Sequence, residues 1–362
     1  MAPESGSGPA APSEPGSVVV VTGAAGALGH RVVALAAADP TVRRVVAIDR
    51  APLSPRAPRV EAHLADLADA DLKPLLEGAD VVVHLAQGDV VDLTGAGTGV
   101  GDGRLAQRVL EAAAAVGARH AVLLSSAAAY GAWANNPVPL TEDAPLRPNP
   151  GVAFASEKAD LERAAAEWRD DHPGVTVAVL RPTLTVAPEG SGGLARALAR
   201  SAVPVTDDEP PAQYLGIDDL AAAVDLARTA SLDGPRNVAP DGWAAGATVR
   251  ALAGAPRFRL PERAALRVAG WRWRWGMTAT PPALLPYTVH SWVIANDRLR
   301  ADGWVPTASS EEAYVATHEA GPFATISRRR RQEIALAATG AALVVTSLGL
   351  AALLRRRSRR RG

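Results

Sequence analysis

Val18-Val19-Val20-Val21-Thr22-Gly23-Ala24-Ala25-Gly26-Ala27-Leu28-Gly29 runs from a valine strand through a glycine-rich turn into an Ala/Leu-rich stretch. Each glycine answers a physical need. Gly23 permits a tight turn, Gly26 lets backbone approach a pyrophosphate, and Gly29 lets the following helix pack against the strand. The helix start then offers unpaired N–H groups and the positive end of its dipole to phosphate. A second apolar run, Val45–Ile48, leads to Asp49, twenty residues after Gly29. An acid there can accept hydrogen bonds from both ribose hydroxyls of a dinucleotide and would repel a 2′-phosphate, which favours NAD over NADP. Arg50 works in the other direction, because an arginine at that turn can hold a 2′-phosphate.

Outward from this stretch, apolar runs of strand length recur at Val81–Leu85, Ala121–Leu124 and Val175–Leu180. Helix-like segments lie between the runs at Leu28–Ala38, Leu72–Leu76, Leu105–Val116 and Ser156–Trp168. Near-continuous apolar strands alternating with helices predict βαβ units and a parallel sheet covered on both faces. After about residue 183 the alternation loosens and Gly, Pro and Trp become frequent, with Gln213–Ile217 as a further short strand. The expected fold class is therefore α/β: a Rossmann-type doubly wound parallel sheet over about 18–182 and a small C-terminal substrate lobe over about 183–325. Residues 1–17, rich in Pro, Gly, Ser and Ala, read as a disordered leader without the basic and apolar regions of a signal peptide.

The 362 residues hold 38 basic and 38 acidic side chains, but the balance is uneven along the chain. From Arg328 onward there are ten arginines and only Glu333, so residues 1–327 carry 28 bases and 37 acids, a net of −9. An acidic body argues against nucleic-acid binding. The absence of cysteine excludes disulfides and zinc–thiolate sites, and the seven histidines show no ligand spacing, so no metal is expected. No Gly-x-Ser-x-Gly elbow is present to support hydrolase chemistry. Ile334–Leu354 is 21 residues without a charge, about 30 Å as a helix, which predicts a transmembrane span followed by a basic tail at 355–362. The body is then expected at the membrane on the cytoplasmic side, where dinucleotides are found. That places six arginines outside against four inside, contrary to the usual bias.

Several motifs together resemble the extended short-chain dehydrogenase/reductases, also called NAD-dependent epimerase/dehydratases. Thr22–Gly29 matches their TGxxGxxG spacing. His63-Leu64-Ala65-Asp66-Leu67 resembles the segment whose Asp-Leu pair contacts adenine, and Asp80–Ala86 the fourth strand, whose Leu85 and Ala86 line the cofactor. Leu124-Ser125-Ser126, running on to Tyr130-Gly131, resembles the active-site strand. Leu180-Arg181-Pro182, Ile217-Asp218-Asp219, Asn296-Asp297-Arg298 and Gly303-Trp304 resemble later landmarks. The resemblance spans roughly residues 18–320. It implies an NAD-dependent enzyme acting on a nucleotide-sugar or a lipid-like hydroxyl compound, and a homodimer paired through two long helices.

In that family a tyrosine moves the substrate proton, and a lysine four residues later tunes it and holds the nicotinamide ribose. A serine on the preceding strand binds the same oxygen. By resemblance Ser126 takes the serine's place. Lys158, one of only two lysines in the chain, takes the lysine's place, with Glu162 following. Four residues before Lys158, however, stands Phe154, which has no proton to transfer. Three readings stay open: NAD binding without redox chemistry, replacement of the tyrosine by a group such as the nearby Tyr130, or a slow reaction carried by Ser126 and water. Asp102 is a second departure, falling where the family often has asparagine. It ends a loop, Gly95–Gly103, with five glycines in nine residues. Trp271-Arg272-Trp273-Arg274-Trp275, read as a strand, would put its tryptophans on one face.

Overall fold

The computed structural model describes residues 16–53, 57–87, 100–189, 193–200, 210–253, 262–277 and 280–317. The expected leader, the 334–354 span, the 355–362 tail and most of the glycine-rich loop lie outside the described residues. Among the described residues no helix is long and apolar enough to cross a membrane.

The valine run forms β1 (Ser17–Thr22), and the turn leads into α1 (Ala27–Ala38). There follow β2 (Val42–Asp49), β3 (Val60–Leu64), α2 (Leu72–Leu75), β4 (Val81–His84), α3 (Asp102–Ala115), β5 (His120–Leu124), α4 (Ala153–Asp171) and β6 (Thr176–Pro182). After β6 come β7 (Leu184–Val186), α5 (Gly193–Arg200), β8 (Tyr214–Gly216), α6 (Ile217–Thr229), β9 (Gly234–Val238), α7 (Gly246–Ala253), α8 (Glu262–Arg274), α9 (Pro286–Val289), α10 (Asp297–Ala301) and α11 (Ser310–Thr317). The main sheet has the order β3-β2-β1-β4-β5-β6-β9, and every pairing is parallel. The order reverses between β1 and β4, which opens a crevice at the carboxyl ends of these two strands. The expected doubly wound sheet is present, and β9 from the later half of the chain completes its edge.

Two apolar layers explain the near-continuous valine strands. Val19, Val21 and Val45 pack with α1 and α6 on one face, while Val18, Val20, Val46 and Ile48 pack with α2 and α3 on the other. Burial on both faces leaves no reason for polar alternation along β1. The lobe has its own cluster, in which Leu140, Leu184, Leu284, Tyr287, Trp292 and Ile294 surround Tyr130. Gln213 ties the lobe together: its side chain donates to the Gly242 and Ile294 carbonyls and accepts the Ile294 N–H.

One expectation is corrected here. Trp271–Arg274 belongs to α8, and Trp275 follows in a turn whose N–H reaches the Trp271 carbonyl. Alternation of Trp and Arg mimics a period of two, but the Ala-rich residues before it favour a helix that carries through to Arg274. Tryptophans two apart therefore do not share a face.

Candidate functional site

The turn after β1 passes directly over β4. A Cβ on Gly23, where φ is +72°, would lie 2.6 Å from the Ala86 backbone nitrogen, and one on Gly29 would lie 2.1 Å from the Gly23 carbonyl oxygen. Only glycine permits this nesting of strand, loop and helix. No side chain caps α1 at Gly26, so its first-turn amides remain for a ligand. A cleft of about 450 Å³ opens beside them, lined by Gly23, Gly26, Asp49, Arg50, Asp66, Leu67, Leu85 and Ala86. The eight residues come from four separate segments and form one continuous wall. Gly29 lies beneath the loop rather than in that wall.

Asp49 is fixed as the site requires. One carboxylate oxygen accepts the Ala25 N–H at 2.9 Å and the other accepts the Ala51 N–H at 2.9 Å. Each oxygen keeps a lone pair for a ribose hydroxyl. Asp66 is exposed and is held by the Ala68 N–H at 2.9 Å, while Leu67 beside it is buried. The uncapped helix start, the glycine cradle and the anchored acid fit a dinucleotide.

Next to this cleft is a buried polar cluster. Lys158 and Asp102 form an ion pair at 2.7 Å, with side chains only 1% and 8% exposed. Lys158 Nζ also donates to the Leu124 carbonyl at 3.1 Å. An ammonium has three hydrogens, so one is left for a ligand. The pair exists because α3 and α4 approach closely: a Cβ on Gly103 would lie 3.1 Å from the Asp160 carbonyl carbon of α4. The Asp102 N–H is in turn accepted by Glu157 at 2.9 Å, and burial, ahead of the nearby Asp102 charge, pushes the Glu157 carboxyl up. His84 is opposite Thr22 in register, and its Nδ1 is 2.7 Å from the Thr22 hydroxyl. Burial, reinforced by the Lys158 charge, holds the imidazole down to about 4, so it is neutral at physiological pH. Its Nε2 has no partner among the described residues.

Phe154 occupies the α4 face that carries Lys158, with its ring centre 5.8 Å from Nζ. Ser126 is buried at the end of β5. Its Oγ accepts the Ala128 N–H at 3.2 Å, which leaves the hydroxyl proton free to be given. Tyr130 does not join them. Its hydroxyl donates to Asn237 at 2.8 Å and accepts from Arg181 at 2.6 Å, and burial pushes it up to about 12. The reading of Tyr130 as a substitute proton carrier is therefore replaced by one in which it is a strut between β6, β9 and the lobe.

A family-wide sequence profile described as the NAD dependent epimerase/dehydratase family matches residues 19–238, well over half of the chain. The chain belongs to the NAD-dependent epimerase/dehydratase family. An uncharacterized protein of Mycobacterium tuberculosis is 28% identical over 235 residues, 62% of this chain and 62% of its own length. The chain thus spans less than two thirds of the curated relatives it matches. Among solved structures, a UDP-glucose 4-epimerase of Thermus thermophilus in complex with NAD has 23% identity and a TM-score of 0.58. The match covers 86% of this chain and 100% of that one. DesIV, a dTDP-glucose 4,6-dehydratase of Streptomyces venezuelae with NAD bound, has 20% identity and a TM-score of 0.59, covering 83% and 95%. A tyrosine-to-phenylalanine variant of Bacillus cereus UDP-glucuronic acid 4-epimerase is in complex with a fluorinated UDP-sugar and NAD. It has 18% identity and a TM-score of 0.61, covering 83% and 97%. These likenesses show the fold.

Within this epimerase/dehydratase chain, sequence reasoning named eight residues that line the cleft, and also Ser126 and Lys158, but not Ile48, Gln87 or Val100, which line it too. It missed Glu157 and the placing of His84. It noted Asp102 only as a departure and not as the partner of Lys158. The only hint was that a scarce lysine and an acid were each expected near one cofactor; the crossing of α3 and α4 that joins them has no local signal in the sequence. It also missed the clamp behind the site. There Arg181 donates to Glu162 at 2.6 Å, and Ser125 donates to the same carboxylate at 2.5 Å.

Proposed function

We propose that this chain holds NAD in the cleft between β1 and β4. We further propose that it acts as an epimerase- or dehydratase-type oxidoreductase on a nucleotide-sugar or lipid-like hydroxyl compound. The observation that carries the reading is the ordered wall from Gly23 to Ala86 together with a buried Lys158 that keeps one hydrogen for a ribose. NAD, when bound, supplies a hydride acceptor. Asp49 orients the adenosine ribose, the α1 amides take the pyrophosphate, and Lys158 holds the second ribose. Ser126 is the remaining group that can give a proton to a substrate oxygen. Membrane attachment through the uncharged stretch at 334–354 is part of the proposal, with the body on the cytoplasmic side and NADP the less favoured cofactor.

Phe154 and the Asp102–Lys158 pair favour a second reading, a protein that binds NAD(H) as a sensor or scaffold without turnover. In the Bacillus cereus neighbour, a tyrosine-to-phenylalanine change coexists with both a UDP-sugar analogue and NAD. Direct NAD titration, beside chromatography of the sugar products formed from a panel of UDP- and dTDP-sugars, tests both readings in wild type and in Phe154→Tyr, since an epimerase or dehydratase returns its hydride and accumulates no NADH. Turnover that rises in the tyrosine variant supports the enzyme reading. NAD binding with no turnover in either protein leaves the binding reading, and failure to bind either dinucleotide sinks both.

A further inference from the structure

Among the described residues, twelve large apolar side chains are exposed, and six of them lie between Leu266 and Met277. Trp271 is 58% exposed, Trp275 69% and Met277 47%. Tryptophan is ordinarily among the more buried side chains, and such a concentration on one short element marks an interaction surface. The chemistry of the surface is specific. Helix α8 rests on the body through Ala265 and Ala269, one turn apart. At 100° per residue, Val268, Trp271 and Trp275 form one stripe to the side of that contact. Arg263, Arg267 and Arg274 form an exposed ridge beside the stripe. Residues 262–277 hold four arginines and one acid, a net of +3, within a body (1–327) whose net charge is −9.

We propose that α8 and the turn after it form a docking face for an anionic lipid surface. Its tryptophans would lie at the headgroup boundary and its arginines against lipid phosphates. Tryptophan and arginine are the pair that suits this boundary: the indole has an apolar body and one N–H, and the arginine stem lies along apolar surface while its head reaches phosphate. A basic island on an acidic body also sets orientation, since an anionic leaflet attracts that face and repels the rest. The chain's own 334–354 stretch is a poor occupant, because the arginine clusters at its two ends would be brought against Arg263, Arg267 and Arg274. The face does not require that stretch to cross a bilayer.

The test uses the full chain with vesicles whose acyl chains carry bromine, a contact quencher of tryptophan. Residues 328–362 contain no tryptophan, so quenching reports the body while co-flotation reports any tail insertion. The expected result is quenching that is stronger in phosphatidylserine-containing vesicles than in phosphatidylcholine vesicles and that weakens at high salt. Trp271→Ala/Trp275→Ala should lose the lipid-dependent part, and Arg263→Gln/Arg267→Gln/Arg274→Gln should lose the preference for anionic lipid. Both variants should keep NAD titration unchanged, which excludes misfolding. Quenching unchanged in the tryptophan variant overturns the proposal, as does an absence of quenching in the wild-type chain. A dimer in lipid-free buffer that the tryptophan variant breaks would assign the face to a second copy and also overturn it.

Discussion

Asp102 and Lys158 decide what a proton carrier at position 154 could do. A tyrosine there would need the Lys158 cation to lower its hydroxyl, yet Asp102 at 2.7 Å already offsets that charge. Phe154 and the Asp102–Lys158 pair are therefore consistent with one another. Restoring Phe154→Tyr alone should recover less product formation than Phe154→Tyr with Asp102→Asn, and the double variant should exceed the wild type by about 10²–10⁴-fold. Equal rates in the single and double variants would show that Asp102 does not hold the lysine back. His84 sets a pH dependence. Its folded value of about 4 is below the ordinary histidine value, so the unfolded chain takes up the proton first. Stability should be full above about pH 6.5 and fall as pH drops towards 4, by on the order of 3 kcal/mol once both states are protonated. Denaturant midpoints measured across that range should flatten in His84→Gln; an unchanged slope would place the loss elsewhere.

Elements meet where small or oppositely charged residues let them. Helix α4 is pinned to β6 by Glu162 and Arg181, both side chains about 7% exposed. Glu162→Ala leaves a buried guanidinium with a lost partner and should cost about 3–5 kcal/mol, read from urea unfolding. A loss below about 1 kcal/mol would mean that Arg181 finds enough from Tyr130 and the Glu142 carbonyl. At this scale the sequence was readable where hydrophobic period and packing agreed. The strands β1, β2, β4, β5 and β6 are buried on both sides and read as apolar runs. The edge strand β3, Val-Glu-Ala-His-Leu, is only partly buried and carried no such run. Helix α6 was hidden because its Ala-rich pattern follows a strand with no loop between them. The glycine turn and Asp49 were legible because backbone geometry dictates glycine at fixed spacing, whereas Asp66, Leu67, Leu85 and Ala86 came only from the family resemblance. The Asp102–Lys158 pair was not, because nothing local tells a helix which neighbour it will cross.

For the molecule as a whole, charge is distributed by role. An acidic body carries the cleft, and ten arginines gather beyond residue 327. If the uncharged stretch between the arginine clusters anchors the chain, the full chain should float with phosphatidylcholine vesicles after a carbonate wash. A chain ending at residue 327 should stay at the bottom of the gradient. Washing the full chain off at high pH would reduce the association to electrostatics.

Trp304 and Leu299 complete the same apolar cluster as Val19 and Val21, and the Trp304 indole donates to the Asp219 carbonyl while Asp219 holds the backbone of Thr307. Strand β1 is thus sealed by residues translated some 285 positions after Val19. At ordinary synthesis rates that interval is roughly 15–60 s. For most of it the Val19/Val21 face of β1 has α1 against it but not yet α6, Leu299 or Trp304. The nascent protein accordingly has a long window in which a chaperone, or early-bound dinucleotide, would have most to gain by occupying it.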